Sequence, residues 1–185
     1  MDPIDVLMRE HQVILRVIDA AEAFAAEVDT AGHDGRAELA DFVTFIREYA
    51  DTRHHGKEED ILFEAMQACG FSTEMGPLAV MLHEHTEGRR LVREMAEAAA
   101  RPAPWSPAER SAVVGSIEGY AALLRNHIWK EDNILYPAAQ NALDEAAYGV
   151  VAQRVTSFDG EWTASGKIPA LDALAEKLIA RAPRA

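Results

Sequence analysis

The sequence predicts an all-α protein: an up-down-up-down four-helix bundle followed by short C-terminal helices. Three observations predict it. Apolar residues recur at helical spacing through four long segments. No stretch alternates in the manner of a strand. The chain also repeats itself, and each half of the repeat contains a helical hairpin.

The first helix starts at Asp2-Pro3, where a capping oxygen precedes a proline in the first turn. Ile4, Leu7, Met8, His11, Ile14, Leu15 and Ile18 form its apolar stripe, so His11 faces the core. A polar, glycine-bearing break spans residues 30–35. The second helix is predicted over residues 34–67, with Leu39, Val43, Ile46, Ala50, His54, Glu58, Ile61, Leu62 and Ala65 inward, and Cys69-Gly70 ends it. The third starts near Pro77 and runs to about residue 100 through Leu78, Met81, Leu82, His85, Val92 and Met95. After a stiff proline-bearing loop over residues 101–105, Ser106-Pro107-Ala108-Glu109 opens the fourth helix as a capping box. Its inward face is Ile117, Tyr120, Ala121, Leu124, His127, Glu131, Ile134 and Leu135, and Pro137 should kink or end it. Residues 1–143 read as the bundle and residues 144–185 as a helical extension. That extension is predicted as a short helix over 144–158, a loop over 160–166 and a helix over 168–179 with Leu171, Leu174 and Leu178 at core spacing. It carries no copy of the ligand pattern described next, and reads as a cover or a partner surface.

Composition narrows the function. A formal charge of −13 repels phosphate backbones and anionic membranes, so nucleic acid and lipid surfaces are not expected partners. No apolar run reaches the length of a membrane span, and the first residues lack the basic and apolar regions of a signal peptide. A single cysteine, Cys69, rules out an internal disulfide and suits a reducing cytoplasm. It reads as a small buried or half-buried thiol.

The chemistry sits in the repeat. His54-His55-Gly56-Lys57-Glu58-Glu59-Asp60-Ile61-Leu62-Phe63 is answered 73 residues later by His127-Ile128-Trp129-Lys130-Glu131-Asp132-Asn133-Ile134-Leu135-Tyr136. Both read His-x-x-x-Glu-acid-x-Ile-Leu-aromatic. Residues four apart on a helix share a face, so each stretch presents an imidazole and a carboxylate together. Leu7-Met8-Arg9-Glu10-His11 and Met81-Leu82-His83-Glu84-His85 extend the repeat: His11 precedes His54 by 43 residues, and His85 precedes His127 by 42. Pairing the two hairpins brings His11, His54, Glu58, His85, His127 and Glu131 to one centre. Four nitrogens and two carboxylates exceed a single zinc site, which takes four ligands. They suit two ions that share the carboxylates as bridges, with iron, manganese or zinc as candidates and redox-active iron favoured by a partly open site.

Other polar residues receive other readings. One histidine in an apolar stripe is usually a hydrogen-bonded core residue; four in register with two glutamates are a metal site. Glu59, Asp60 and Asp132 read as a solvated acidic face. His33 reads as an exposed loop residue. His55 lies about 100° of helix off the ligand face, which makes it a supporting or surface residue. His83 lies two residues off the stripe of His85, and its repeat partner is Arg9, so it stays outside the ligand set. Tyr120 reads as a core aromatic, with proton donation to the site as the alternative.

Glu10-His11, His54-x3-Glu58 with Leu62-Phe63, Glu84-His85, and His127-x3-Glu131 with Leu135-Tyr136-Pro137 together resemble the hemerythrin-like family of HHE cation-binding domains over residues 3–142. The resemblance implies an up-down four-helix bundle holding two non-haem iron ions with a bridging oxo or hydroxo group. It also implies a small ligand: dioxygen, another diatomic such as nitric oxide, or a peroxide. The oxygen carriers of the family place two histidines four apart on the third helix, whereas Met81 and Arg89 flank His85 here. They also use an aspartate five residues after the helix-four histidine; here Glu131 stands at four and Asp132, the alternative ligand, at five. Simple oxygen transport is therefore not the expectation. A di-iron protein that binds or senses these small molecules is, with catalase-like turnover of peroxide and an iron-gated interaction module as alternatives.

Overall fold

The computed structural model describes residues 1–28, 34–102 and 104–181, and every regular element among them is a helix. His33 and part of the predicted 30–35 break lie outside the described residues. Helix α1 spans Pro3–Val28. The side chain of Asp2 accepts from the backbone N–H of Ile4 at 2.8 Å, so the predicted start holds. Helix α2 is one continuous rod made of four segments: Arg36–Phe45, Ile46–His55, Glu58–Phe63 and Glu64–Ala68. Helix α3 spans Pro77–Ala99. Helix α4 runs through Pro107–Lys130, Glu131–Leu135 and Tyr136–Ala142. Two further helices follow, α5 over Glu145–Ala164 and α6 over Lys167–Ile179.

The middle of α2 and the end of α4 are wound as π-helix, at Ile46–His55, Glu58–Phe63 and Glu131–Leu135. The inward residues explain why. Ile46, Ala50, His54, Glu58 and Leu62 are spaced by four and are all buried. An α-helix turns 100° per residue, so each step of four overshoots by about 40° and the stripe would leave the core within three steps. The wider π turn removes that drift, a device found mostly at functional sites. It also carries the chain past Pro137, which neither ends nor breaks α4. Ile134 is turned outward by the same winding and is 47% exposed, against the inward position expected from regular spacing.

Local signals set the other boundaries. Ser106 and Glu109 form the predicted capping box of α4. Gly70 and Gly166 take positive φ at helix ends, where only glycine is unstrained. Gly160, in contrast, does not open a loop: α5 continues through it to Ala164. Phe158 and Trp162 explain the continuation, because they stack one helical turn apart and Trp162 packs on the main core.

Helix α1 packs on α4, α4 on α3, and α3 on α2, while α5 and α6 lie over α1 and α2. Two apolar clusters result. One contains Ile14 to Val28 of α1 with Phe42, Phe45, Val92, Ile117 and Leu124; the other contains Ile4, Leu7, Leu62, Phe63, Met81 and Tyr136. Leu171, Ala175 and Leu178 of α6 belong to the first, and Val151 and Val155 of α5 to the second. The polar residues of the repeat form a belt between the two. Among the described residues, no helix is long and apolar enough to cross a membrane.

Leu178 is 1% exposed within the main core. Leu178→Ala should therefore cost about 2–5 kcal/mol, as large-to-small core changes do. Denaturant unfolding should show that loss as one shifted transition. An early separate transition would mean that α6 is not part of the cooperative unit.

Candidate metal centre

All six predicted residues meet in the belt, and each is at most 2% exposed. The imidazoles stand in two pairs. Nε2 of His11 faces Nε2 of His54 at 2.9 Å, and Nε2 of His85 faces Nε2 of His127 at 3.0 Å. Between the pairs lie Glu58 and Glu131. Glu131 reaches His11 Nε2 at 3.2 Å with one oxygen and His127 Nε2 at 2.9 Å with the other. Glu58 Oε2 stands 3.8 Å from His54 and 3.5 Å from His85. Both carboxylates thus span the two histidine pairs.

The opposite ring nitrogens explain this orientation. Each Nδ1–H donates to a carboxylate: His54 to Glu10 at 2.9 Å, His127 to Glu84 at 2.9 Å, His11 to Asp132 at 2.8 Å and His85 to Glu59 at 2.6 Å. Every Nε2 therefore points inward, and such carboxylate–imidazole pairs orient the ring and raise the basicity of a ligand. The supports are themselves supported. Lys57, fully buried, donates to Glu10, as Lys130 does to Glu84. Arg89 of α3 bonds both Glu59 and Asp51 of α2.

These side chains fit metal ions. Two ligand nitrogens about 2.1 Å from one cation and at right angles to it lie about 3 Å apart, which is the spacing of each imidazole pair. Glu58 Oε2 and both oxygens of Glu131 are buried, and apart from the imidazole Nε2 atoms no hydrogen-bond donor reaches them. Buried carboxylate oxygens in that condition are costly unless a cation answers them. Two sets of four ligand atoms each lie within 4.8 Å of one another: His11, His54, Glu58 and Glu131, and His55, Glu58, His85 and His127.

The second set contains a correction. His55 is buried, not at the surface, and its ring stacks on His85 with centroids 3.8 Å apart. His54 and His55 are adjacent at the end of the π segment Ile46–His55, and both are buried. The Nδ1–H of His55 donates to Asp51 at 3.2 Å. A fifth imidazole thus reaches the site from α2, although α3 lacks the second histidine of the oxygen carriers.

Glu59 and Asp132 are a second correction. They bind the Nδ1–H groups of His85 and His11, so they are not a solvated acidic face, and Asp132 faces away from the centre. Asp60 is exposed, as expected, and His83 is exposed away from the centre; Cys69 is exposed too, not buried or half-buried, because it follows the last turn of its helix. Tyr120 is a buried aromatic whose hydroxyl burial holds far above its usual proton affinity. The tyrosine at the centre is Tyr136, unassigned from sequence: its hydroxyl donates to Glu58 Oε1 at 2.6 Å and lies 3.3 Å from His11 Nε2. The repeat carried a signal for the missed residues. Glu10 pairs with Glu84, Lys57 with Lys130 and Glu59 with Asp132, each at matched positions.

Electrostatics follow the charge pattern. Burial opposes ionisation of Glu10, but His54, Lys57 and Arg53 hold it down to about 2. Burial also works against a charge on His127 and His11, yet carboxylates win in both cases. Glu131 and Glu84 push His127 up to about 10, and Asp132 and Glu131 push His11 up to about 9. Burial and the charge of Glu131 raise Glu58, whereas His127 and His11 outweigh burial at Glu131 and lower it. Burial depresses His54 to about 4 and His55 to about 3.

A cavity of about 90 Å³ opens beside the second set. His55, His85 and His127 form its polar wall, Tyr120, Val92 and Leu124 its apolar wall, and Gly88 and Arg89 contribute from α3.

Fold and site together define a metal-binding helical bundle with His and Glu clusters that could hold metal ions, contributed by its four long helices. Residues 2–139 match the hemerythrin HHE cation binding domain, and the chain belongs to that family. It is 21% identical over 147 residues to the uncharacterized protein Rv1995 of Mycobacterium tuberculosis, covering 80% of this chain and 57% of that one. It is 31% identical over 103 residues to the iron-sulfur cluster repair protein YtfE of Escherichia coli, covering 55% of this chain and 46% of that one. The chain thus spans about half the length of these curated relatives.

The raised histidines set a pH dependence for chelator-stripped protein. Stability from a raised pKa is complete below the unfolded value of 6.5 and is lost as pH rises through about 9 for His11 and about 10 for His127. Depressed His54 and His55 act oppositely, so their contribution fades as pH falls from 6.5 through about 4 and about 3. Stripped protein should therefore melt at lower temperature on both sides of neutrality. Loaded protein should lose little on the alkaline side, because cations then neutralise the carboxylates. Equal alkaline losses in both forms would contradict the assignment.

Proposed function

We propose that this chain is a hemerythrin-like di-iron protein that binds and senses a small oxidant or radical: dioxygen, peroxide or nitric oxide. The four long helices then form the up-down-up-down bundle of the family. His11 and His54 hold one ion, His85 and His127 the other, with His55 available to the second, and Glu58 and Glu131 bridge them. The single observation that carries this reading is the pair of buried carboxylates whose three unbonded oxygens face two inward imidazole pairs. Imidazole and carboxylate donors suit iron, manganese and zinc alike; iron is favoured by the partly open site and by the iron chemistry named for the Escherichia coli relative. The same reading sets the protein in a reducing cytoplasm, without nucleic-acid or membrane partners.

When bound, an iron pair supplies reversible redox change and an open position for a small ligand. The chain's own residues supply the rest. Glu10, Glu84, Asp132 and Glu59 hold the imidazoles in place, so no ligand has to reorganise when a cation arrives. The cavity of about 90 Å³ limits what reaches His55, His85 and His127 to molecules of a few atoms. Tyr136 holds a proton on its hydroxyl beside Glu58, because burial and the two neighbouring carboxylates raise its proton affinity well above the usual tyrosine range. That proton supports a second reading, catalase-like turnover, since breaking a peroxide bond requires protons at the oxygens. Sustained peroxide consumption by loaded protein separates turnover from binding.

Protein loaded anaerobically with ferrous ion should contain two irons per chain by elemental analysis; one iron at full occupancy would refute the bridged pair. Gly88 tests the cavity. A Cβ there meets the Tyr120 ring at 3.5 Å, an ordinary contact, so an added methyl is accommodated. Gly88→Ala should leave iron content intact and weaken nitric oxide binding by about ten-fold, in line with the effect of one carbon atom in a tight pocket. Unchanged binding would place the ligand elsewhere.

A further inference from the structure

The two halves of the repeat differ in one respect that the metal ligands do not explain. In the second half, Glu84 takes the Nδ1–H of His127 and is held by one cation, Lys130. In the first half, Glu10 takes the Nδ1–H of His54 and is held by two, Lys57 and Arg53. The repeat places Asn126 opposite Arg53, and Asn126 bonds only the carbonyl of Ala122 in its own helix. The extra arginine is buried, and so is Lys57. Two buried cations on a single carboxylate would leave a net positive charge beside the site, at a cost of several kcal/mol.

The second carboxylate comes from outside the bundle. Asp159 of α5 lies 3.1 Å from Lys57 Nζ and 3.2 Å from Arg53 Nη2. Its neighbour Phe158 packs over Gly56, where an added Cβ would already stand 3.4 Å from the ring. Helix α5 therefore seats directly behind His54, and it lies beyond the residues 2–139 shared with the family.

We propose that Asp159 is a positioning residue for the metal centre, balancing Arg53 and Lys57 so that Glu10 stays on His54 and so that seating of α5 and metal binding favour one another. This rests on the di-iron reading only in the identity of the ion. Without the charge of Asp159, both cations draw on Glu10 alone. The bond from His54 Nδ1–H then weakens, Nε2 becomes a poorer donor, and an uncompensated positive charge stands near the incoming cation. Coupling is reciprocal by thermodynamic necessity, so an ion on His54 also holds α5 in place.

The test compares wild type, Asp159→Asn and the double variant Arg53→Asn with Asp159→Asn, which copies the charge count of the second half. Full-length proteins loaded with ferrous ion are mixed with a colorimetric ferrous chelator, and the release rate is followed. Asp159→Asn should release iron about ten-fold faster, as loss of a supporting partner does, and the double variant should return to the wild-type rate. In wild type, loading should slow hydrogen exchange of the α5 amides, and Asp159→Asn should remove that effect. A release rate unchanged in Asp159→Asn would overturn the proposal. So would a double variant as fast as the single one, since the effect would then be packing of α5 rather than charge. A second readout needs no metal: in stripped protein the His54 Nδ1–H proton should give a slowly exchanging NMR signal that shifts in Asp159→Asn and recovers in the double variant. If wild type takes up no iron but this signal responds, the di-iron reading falls and the positioning role stands. If iron binds and neither readout responds, the reverse holds.

Discussion

Everything in this structure answers to two carboxylates, Glu58 and Glu131, that are fully buried between two apolar clusters. An ionised carboxylate cannot stay in such a place without partners. The chain meets that demand with shells of alternating character. Imidazoles face the carboxylates, outer carboxylates face the imidazoles, and lysine or arginine faces the outer carboxylates on both hairpins. Each shell makes the one inside it affordable to bury. Together they explain why an apolar bundle tolerates ten buried polar or charged residues among those described.

Backbone winding is the second constraint, and it follows from the first. A single helix must present a histidine and a glutamate to the same centre and also keep apolar residues inward for several turns on either side. Spacing by four satisfies the sequence but drifts on an α-helix. The π segments of α2 and α4 absorb the drift where the ligands sit, and ordinary α-helix resumes beyond them. Within the first π segment the hydroxyl of Thr52 donates to the carbonyl of Arg47, five residues back.

The repeat makes two similar halves, and their differences carry the specific chemistry. The aromatic after each motif stacks on a histidine, Phe63 on His85 and Tyr136 on His11, but only Tyr136 brings a hydroxyl to a carboxylate. His55 has no counterpart, because Ile128 holds the matched position. The cavity lies on the His55 side, and the contact with α5 lies on the other side, behind His54. A tyrosine hydroxyl, a fifth imidazole and a helix from outside the family domain thus enter a nearly symmetric frame at three separate points.

The sequence by itself determined the helical class, most helix starts and the convergence of six polar residues. Apolar periodicity, capping residues and a repeat are local properties, and local properties are legible in one dimension. Asp2, Ser106 with Glu109, and Gly70 mark helix ends as their chemistry requires. The tertiary structure alone decided what surrounds the six. His55 reads as off-face from spacing alone, and its burial follows from the ring of His85 packed against it. Glu59 and Asp132 look like surface acids until neighbouring helices bring His85 and His11 against them. Lys57 and Arg53 have no role legible in the sequence, and only the packing of α1 and α5 sets Glu10 and Asp159 against them. Which side chain supports which is a property of packing between helices more than 40 residues apart in sequence, as His54 and Glu10 are, and helical periodicity holds no record of that separation.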